Sequence, residues 1–278
     1  MTVRIVTDST CDLPLDLVAR LQIYVLPVYI HIGNRDFLDG VDISRDEFYT
    51  NLPDYETQPT TAVPSPAKFH AVYDALADEG ATEVLSIHIS ESLSAVVNVA
   101  RTAASETESI RVTVFDSGQL SLGTGFLVQT AAELALQGHP VADILPILER
   151  QIKRTFVAAG LDTLQYLRRS GRMNAAISTI GDLIQLKPIL KMYNGKSGAE
   201  RVRTRRKVIA RLAEMIKSHS PLERIAFLHS GALESVQALQ DEVRQFLPNR
   251  EIWLEMINPV LGAHIGPGVV GFACVTNE

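Results

Sequence analysis

Cysteine is scarce: Cys11 and Cys274 are the only two among 278 residues, beside one Trp and 6% aromatics. That excludes a disulfide scaffold. The opening Met1-Thr2-Val3-Arg4-Ile5-Val6-Thr7-Asp8 lacks the apolar run of an export signal, so two reduced thiols in a cytoplasmic protein are expected. No apolar run approaches the ~20 residues that cross a bilayer. Missing too are a GxSxG elbow, an HExxH helix and any Cys/His set with zinc spacing. Gly266-Pro267-Gly268-Val269-Val270-Gly271 has the GxGxxG pattern, but it opens no strand–helix unit. Gly195-Lys196-Ser197 resembles the end of a P-loop, yet Leu190 stands where its first glycine is required. Asp8, Asp12 and Asp116 could hold a metal. Acids at strand ends are more often caps, so no metal and no cofactor is expected.

What is present is ordinary globular composition, 46% hydrophobic and 21% charged. The length suggests about two domains at roughly 150 residues each. The net charge of −6 argues against a nucleic-acid binder. It is unevenly spread: residues 1–150 carry 8 Lys+Arg against 21 Asp+Glu, and residues 151–278 carry 18 against 11. Seven of those cations lie between Lys196 and Arg211, with Glu200 the one acid among them. This stretch reads as a solvated loop and helix face or as a docking surface, with Arg203, Arg205 and Arg206 foremost.

Strand and helix patterns alternate. Val3–Thr7, Val84–Ile89 and Val112–Phe115 read as strands. Helices are expected after an Asp12 cap, from the Ser44-Arg45-Asp46-Glu47 capping box, from Ser65-Pro66 to about Glu79, from Ser94 to about Ser105, over Leu120–Gln137 and over about Val141–Lys153. Ile23–Ile32 is a β-rich run that Pro27 should break or push to an edge. The second half reads as strands Phe156–Gly160, Lys187–Tyr193, Arg224–Leu228, Glu251–Ile257 and Val269–Val275, with helices Thr204–Ser218 and Leu233–Phe246. The expected class is α/β in two domains, 1–152 and 153–278. The first is a three-layer α/β/α with a mostly parallel sheet and the second a smaller unit with a mixed sheet; a ligand would lie between them.

Several segments, in order, carry a family resemblance. Ile5-Val6-Thr7-Asp8-Ser9-Thr10-Cys11-Asp12-Leu13-Pro14, Asp39-Gly40-Val41-Asp42-Ile43, Pro59-Thr60-Thr61-Ala62-Val63-Pro64-Ser65-Pro66 and Ile89-Ser90-Glu91-Ser92-Leu93-Ser94 come first. Asp116-Ser117, Gly171-Arg172, Leu186-Lys187-Pro188-Ile189-Leu190 and Gly262-Ala263-His264-Ile265-Gly266-Pro267-Gly268 complete the series. Together they resemble the DegV family over nearly the whole chain. The resemblance implies a protein that binds a long-chain fatty acid between its domains and presents the carboxylate to a separate fatty acid kinase. It implies carboxylate contacts at Thr61 and at Ser94 with the adjoining Ala95, and Arg172 and His264 close by. Two departures make the site more apolar: Thr61-Ala62 stands for the family's Thr-Ser, and Leu93-Ser94-Ala95-Val96 for its Leu-Ser-Gly-Thr.

The residues themselves fit such a ligand. A buried carboxylate needs hydroxyls, amides or a positive charge. A helix start at Ser94 offers free N–H groups. Each residue also has an ordinary role: Ser94 as a cap, Thr61 in a loop, His264 at a turn and Arg172 on a basic face. The competing reading is a serine hydrolase of acyl esters using Ser94 and His264 with Asp8 or Asp116. Transient membrane contact would accompany lipid exchange.

Overall fold

The structure is a computed structural model that describes residues 2–173 and 187–277. Three sheets organise it. The first is fully parallel and four-stranded, in the order β2-β1-β6-β7, from β1 (Val3–Asp8), β2 (Tyr24–Leu26), β6 (Glu83–His88) and β7 (Arg111–Asp116). The second is mixed and six-stranded, in the order β10-β9-β8-β13-β11-β12. Its strands are β8 (Thr155–Gly160), β9 (Lys187–Tyr193), β10 (Lys196–Val202), β11 (Leu222–His229), β12 (Trp253–Met256) and β13 (Val270–Thr276). The third is a small antiparallel sheet, β4-β3-β5, from β3 (Tyr29–Ile32), β4 (Arg35–Leu38) and β5 (Thr60–Ala62).

In the first half the helices are α1 (Leu15–Arg20), α2 (Arg45–Asn51), α3 (Pro66–Asp78), α4 (Val96–Glu106), α5 (Leu122–Leu136) and α6 (Val141–Ile152). Those after it are α7 (Gln165–Arg169), α8 (Arg205–His219), α9 (Leu233–Val243) and α10 (Pro259–Ile265). The two large sheets meet through α5, which contacts β1 and β6 as well as β8 and β13. Its sequence suits that position, with buried Leu122, Phe126, Leu127, Val128, Ala131 and Ala132 around most of its surface. Gly123 and Gly125 permit the approach: a Cβ there would stand 2.5 Å from Val157 and 2.6 Å from the Cys11 carbonyl.

Along β8 and β9 the side chains alternate between two cores. Phe156, Ala158 and Ile189 join α8 and α9 on the outer face. Val157, Leu161 and Met192 face inward and share the main core with Val6, Leu85 and Leu122. A third cluster joins Ile30, Phe48 and Tyr49 to Val260 and Ala263, so α10 completes a core begun more than 200 positions earlier.

Several sequence expectations change here. Asp12 caps no helix: it is fully buried in the left-handed region (φ 57°), and α1 starts behind Pro14 without a side-chain cap. Pro27 does break the β-rich run, into β2 and β3, which belong to different sheets. The small antiparallel sheet was not read from the sequence because β4 and β5 are too short and polar to show a period. Lys196–Val202 forms strand β10, paired with β9 from Lys196↔Tyr193 to Val202↔Lys187, where a loop was expected. His264 lies in helix α10 instead of a turn. Of the family segments, Leu186 lies outside the described residues.

Candidate functional site

A cavity of about 460 Å³ opens between the second sheet and the first half, within the range of small-molecule sites. Its wall is mostly apolar: Val157, Ala159, Leu161, Leu190, Met192 and Leu228 on the sheet side face Ile89, Leu93, Val96 and Leu120. Ile257, Val260, Leu261 and Ile265 close a further side. Several polar lining groups are already engaged. Thr10 donates its hydroxyl to Asp8, Ser121 to Asp12, and Lys191 pairs with Glu200 at 2.8 Å.

Thr61, Ser94, Ala95, Arg172 and His264 all line this one cavity. Thr61 sits on β5, held by pairing of that strand with β3 (Ile30↔Thr61). Ser94 and Ala95 form the approach to α4. The Ser94 amide donates to the Ser90 carbonyl at 3.1 Å, and its hydroxyl receives the Val96 amide at 3.4 Å. The amides of Ala95, Val97 and Asn98 meet no acceptor among the described residues. This is the expected state of a first helical turn, with donors and a partial positive charge left over for an anion.

His264 occupies the last turn of α10. That helix starts at Asn258, whose Oδ1 receives the Leu261 amide at 2.9 Å, followed by Pro259 in its first turn. Its passage past α2 needs a glycine, because a Cβ at Gly262 would lie 2.5 Å from the Tyr49 hydroxyl. The imidazole Nε2 stands 3.1 Å from the Thr61 hydroxyl, and Nδ1 is buried without a partner among the described residues. Burial, then the Arg172 charge, pushes the imidazole down to about 4. It is therefore neutral at physiological pH. If Nε2 carries the proton and donates to Thr61, the Thr61 hydroxyl is free to donate to a ligand.

Arg172 is exposed at the cavity after Gly171, whose positive φ of 70° turns the chain there. Arg203 and Arg206 are exposed as a docking surface requires, but Arg205 is engaged. Its Nε donates to Ser235 at 2.9 Å and its Nη1 to the Gly268 carbonyl at 2.6 Å, with Asp162 at 3.4 Å. It fastens the start of α8 to the first turn of α9 and to the loops holding Gly268 and Asp162.

The hydrolase constellation is not assembled. His264 pairs with Thr61, Asp116 receives the Glu91 and Gly118 amides, and Asp8 binds His88. One arrangement with triad connectivity was not anticipated from local patterns. Asp8 accepts from His88 Nδ1 at 2.9 Å and Ser86 lies 2.7 Å from His88 Nε2. All three are fully buried, out of reach of any substrate. Among the described residues no cluster of three His, Cys, Asp or Glu could hold a metal, and no helix is long and apolar enough to cross a membrane.

Sequence reasoning also missed Gln58, which donates to the carbonyls of Tyr166 (3.0 Å) and Ala263 (2.9 Å) and so ties α7 and α10 together beside the cavity. Nothing local marks such a residue, since both its partners are more than 100 positions away.

Comparison with known proteins agrees with this architecture. A DegV domain-containing protein of Deinococcus radiodurans is 37% identical over 277 residues, covering 98% of each chain. Protein DegV of Bacillus subtilis is 30% identical over 277 residues, again covering 98% of each. Among solved structures, a DegV family protein from Thermus thermophilus described by its fatty acid binding superposes with a TM-score of 0.90 at 36% identity, covering both chains fully. The Bacillus subtilis DegV structure, described as a fatty acid binding protein, gives 0.89 at 30% identity, covering 99% of this chain and 100% of its own. The family described as uncharacterised DegV proteins matches residues 2–277. This chain therefore belongs to the DegV family.

Proposed function

We propose that this protein binds a long-chain fatty acid, the tail in the apolar cavity and the carboxylate at Thr61, Ser94 and the free amides beside Ala95. The observation that carries the reading is an apolar cavity of about 460 Å³ with the Thr61–His264 contact and a helix start on its wall. The Thermus thermophilus and Bacillus subtilis structures, both described by fatty acid binding, support it. Each methylene withdrawn from water contributes about 0.8 kcal/mol, so a sixteen-carbon tail offers on the order of 11 kcal/mol before ordering costs. The neutral imidazole suits the head, because it can orient the Thr61 hydroxyl without forming a competing ion pair.

In this reading the protein is a carrier in the cytoplasm. The ligand lies between a unit of residues 1–152 and one of 153–278. Arg172 helps to present the head to a fatty acid kinase, which docks on the exposed Arg203 and Arg206. Lipid is exchanged by transient membrane contact. Denaturing extraction of the purified protein followed by mass spectrometry tests the proposal. A stoichiometric long-chain acid is expected. Finding no lipid, together with no thermal stabilisation by added palmitate, overturns it.

A further inference from the structure

Asp12 joins the turn after β1 to the start of α10 near the other end of the chain. It is fully buried in the turn after β1, and every polar contact it makes is to a donor. Oδ1 receives both the backbone amide (2.9 Å) and the Nδ2 (3.0 Å) of Asn258, 246 positions away, and lies 3.3 Å from Arg45 Nη2. Oδ2 receives the Ser121 hydroxyl at 2.6 Å. Arg45 continues the network to the Met256 carbonyl and to Glu255. One carboxylate thus joins the starts of α2, α5 and α10.

The consequence falls on α10. With seven residues it is too short to hold its own direction, so its anchors aim it. Asn258 is both its cap and the partner of Asp12, and His264 lies six positions further on. At 1.5 Å per residue that is a lever of about 9 Å, and a tilt of about 10° at the start carries the imidazole ~1.5 Å sideways. Such a movement is enough to break the 3.1 Å contact with Thr61.

We infer that Asp12 is a positioning residue of the ligand site: by receiving Asn258 it fixes the start of α10 and so holds His264 against Thr61. Asp12 lies among charged groups from several elements, namely Arg45 on α2 and Glu255 on β12, with Asp39 nearby, whereas Arg172 is the charged residue acting on His264. The inference deepens the fatty-acid reading, but its first test needs no ligand.

Asn258→Asp keeps a capping oxygen for Leu261 and sets a second carboxylate against Asp12. Asp12→Ala removes the receiving group. Gly160→Ala is a destabilised control on the outer face of the second sheet, where its Cβ would stand 2.1 Å from Val208. The His264 imidazole of the ligand-free protein is titrated by NMR in each. It should change charge near 4 in the parent and in Gly160→Ala. In both Asn258→Asp and Asp12→Ala the midpoint should rise by about one pH unit or more toward the ordinary value as the ring leaves its buried seat. Asp12 is not among the charges acting on His264, and burial holds its carboxyl above the ordinary carboxylate range, so a rise in both variants reports position and not charge. Opposite shifts, or none in Asn258→Asp, overturn the inference.

Ligand affinity forms the second arm. Asn258→Asp should bind palmitate about tenfold or more weakly, while hexadecanol, with the same tail and no charge, loses no more than about threefold. Equal losses for the two ligands overturn the positioning role. If the parent protein binds no palmitate, the fatty-acid reading falls, and the titration alone decides the role of Asp12.

Discussion

Lowering the pH should cost a calculable amount of stability at His264. The unfolded imidazole takes up its proton near 6.5, whereas in the folded protein burial and then Arg172 delay protonation to about 4. A depressed value in the native state gives a contribution that is complete above 6.5, declines as the pH falls toward 4, and is constant below. At about 1.4 kcal/mol per pH unit, the loss reaches roughly 2 kcal/mol at pH 5 and roughly 3 at pH 4. The total stability curve conceals this, because burial holds Asp39 up at about 7 against an ordinary 3.8. That group contributes stability below 3.8 that is lost as the pH rises through 7, the opposite slope over the same interval. His229, lowered by burial, adds to the His264 slope. Both are common to the parent and to His264→Gln, so the difference between the two proteins isolates His264. Urea unfolding of both at about pH 7.5 and about pH 5 should show the variant gaining roughly 2 kcal/mol on the parent at the lower pH. Parallel losses in the two proteins would refute the argument, since His264 would then be no more sheltered folded than unfolded.

The remaining predictions concern the head group, the basic stretch and the thiols. Thr61→Val and Ser94→Ala should each weaken palmitate binding by about 1–3 kcal/mol, roughly five- to 150-fold in Kd by calorimetry, because a buried carboxylate loses a donor. Unchanged affinity in both would move the head elsewhere. Arg205→Met should lower thermal stability, through loss of its bonds to Ser235 and Gly268, while Arg203→Ala and Arg206→Ala leave melting within a degree or two. Cys11 and Cys274 are both buried, and burial raises each thiol to about 12. A thiol reagent should therefore label the native protein only as fast as it unfolds.

Local signals placed most of the regular elements. Lys187–Tyr193 is a strand over those same residues, and the helix expected from about Thr204 begins there, with Thr204 receiving the Lys207 amide at the start of α8. Ser44 receives the Glu47 amide, the half of its capping box that fixes the start of α2. Ser65 makes no such bond, and α3 relies on Pro66 at its start instead. The site residues were legible only because their segments resemble a family. Composition alone would not have chosen Thr61 from the chain's other threonines.

What the sequence by itself determined is which segments are apolar, which can cap, and that the chain alternates strand and helix into two α/β units. These follow from side-chain periods and local hydrogen bonding, which act over a few residues. Tertiary structure alone decided that Thr61 meets His264 across 203 positions, that Asp12 receives Asn258, and that Arg205 is engaged internally. The reason is physical: a buried polar group must find a partner, and which one it finds depends on how the layers stack, a matter no local pattern encodes.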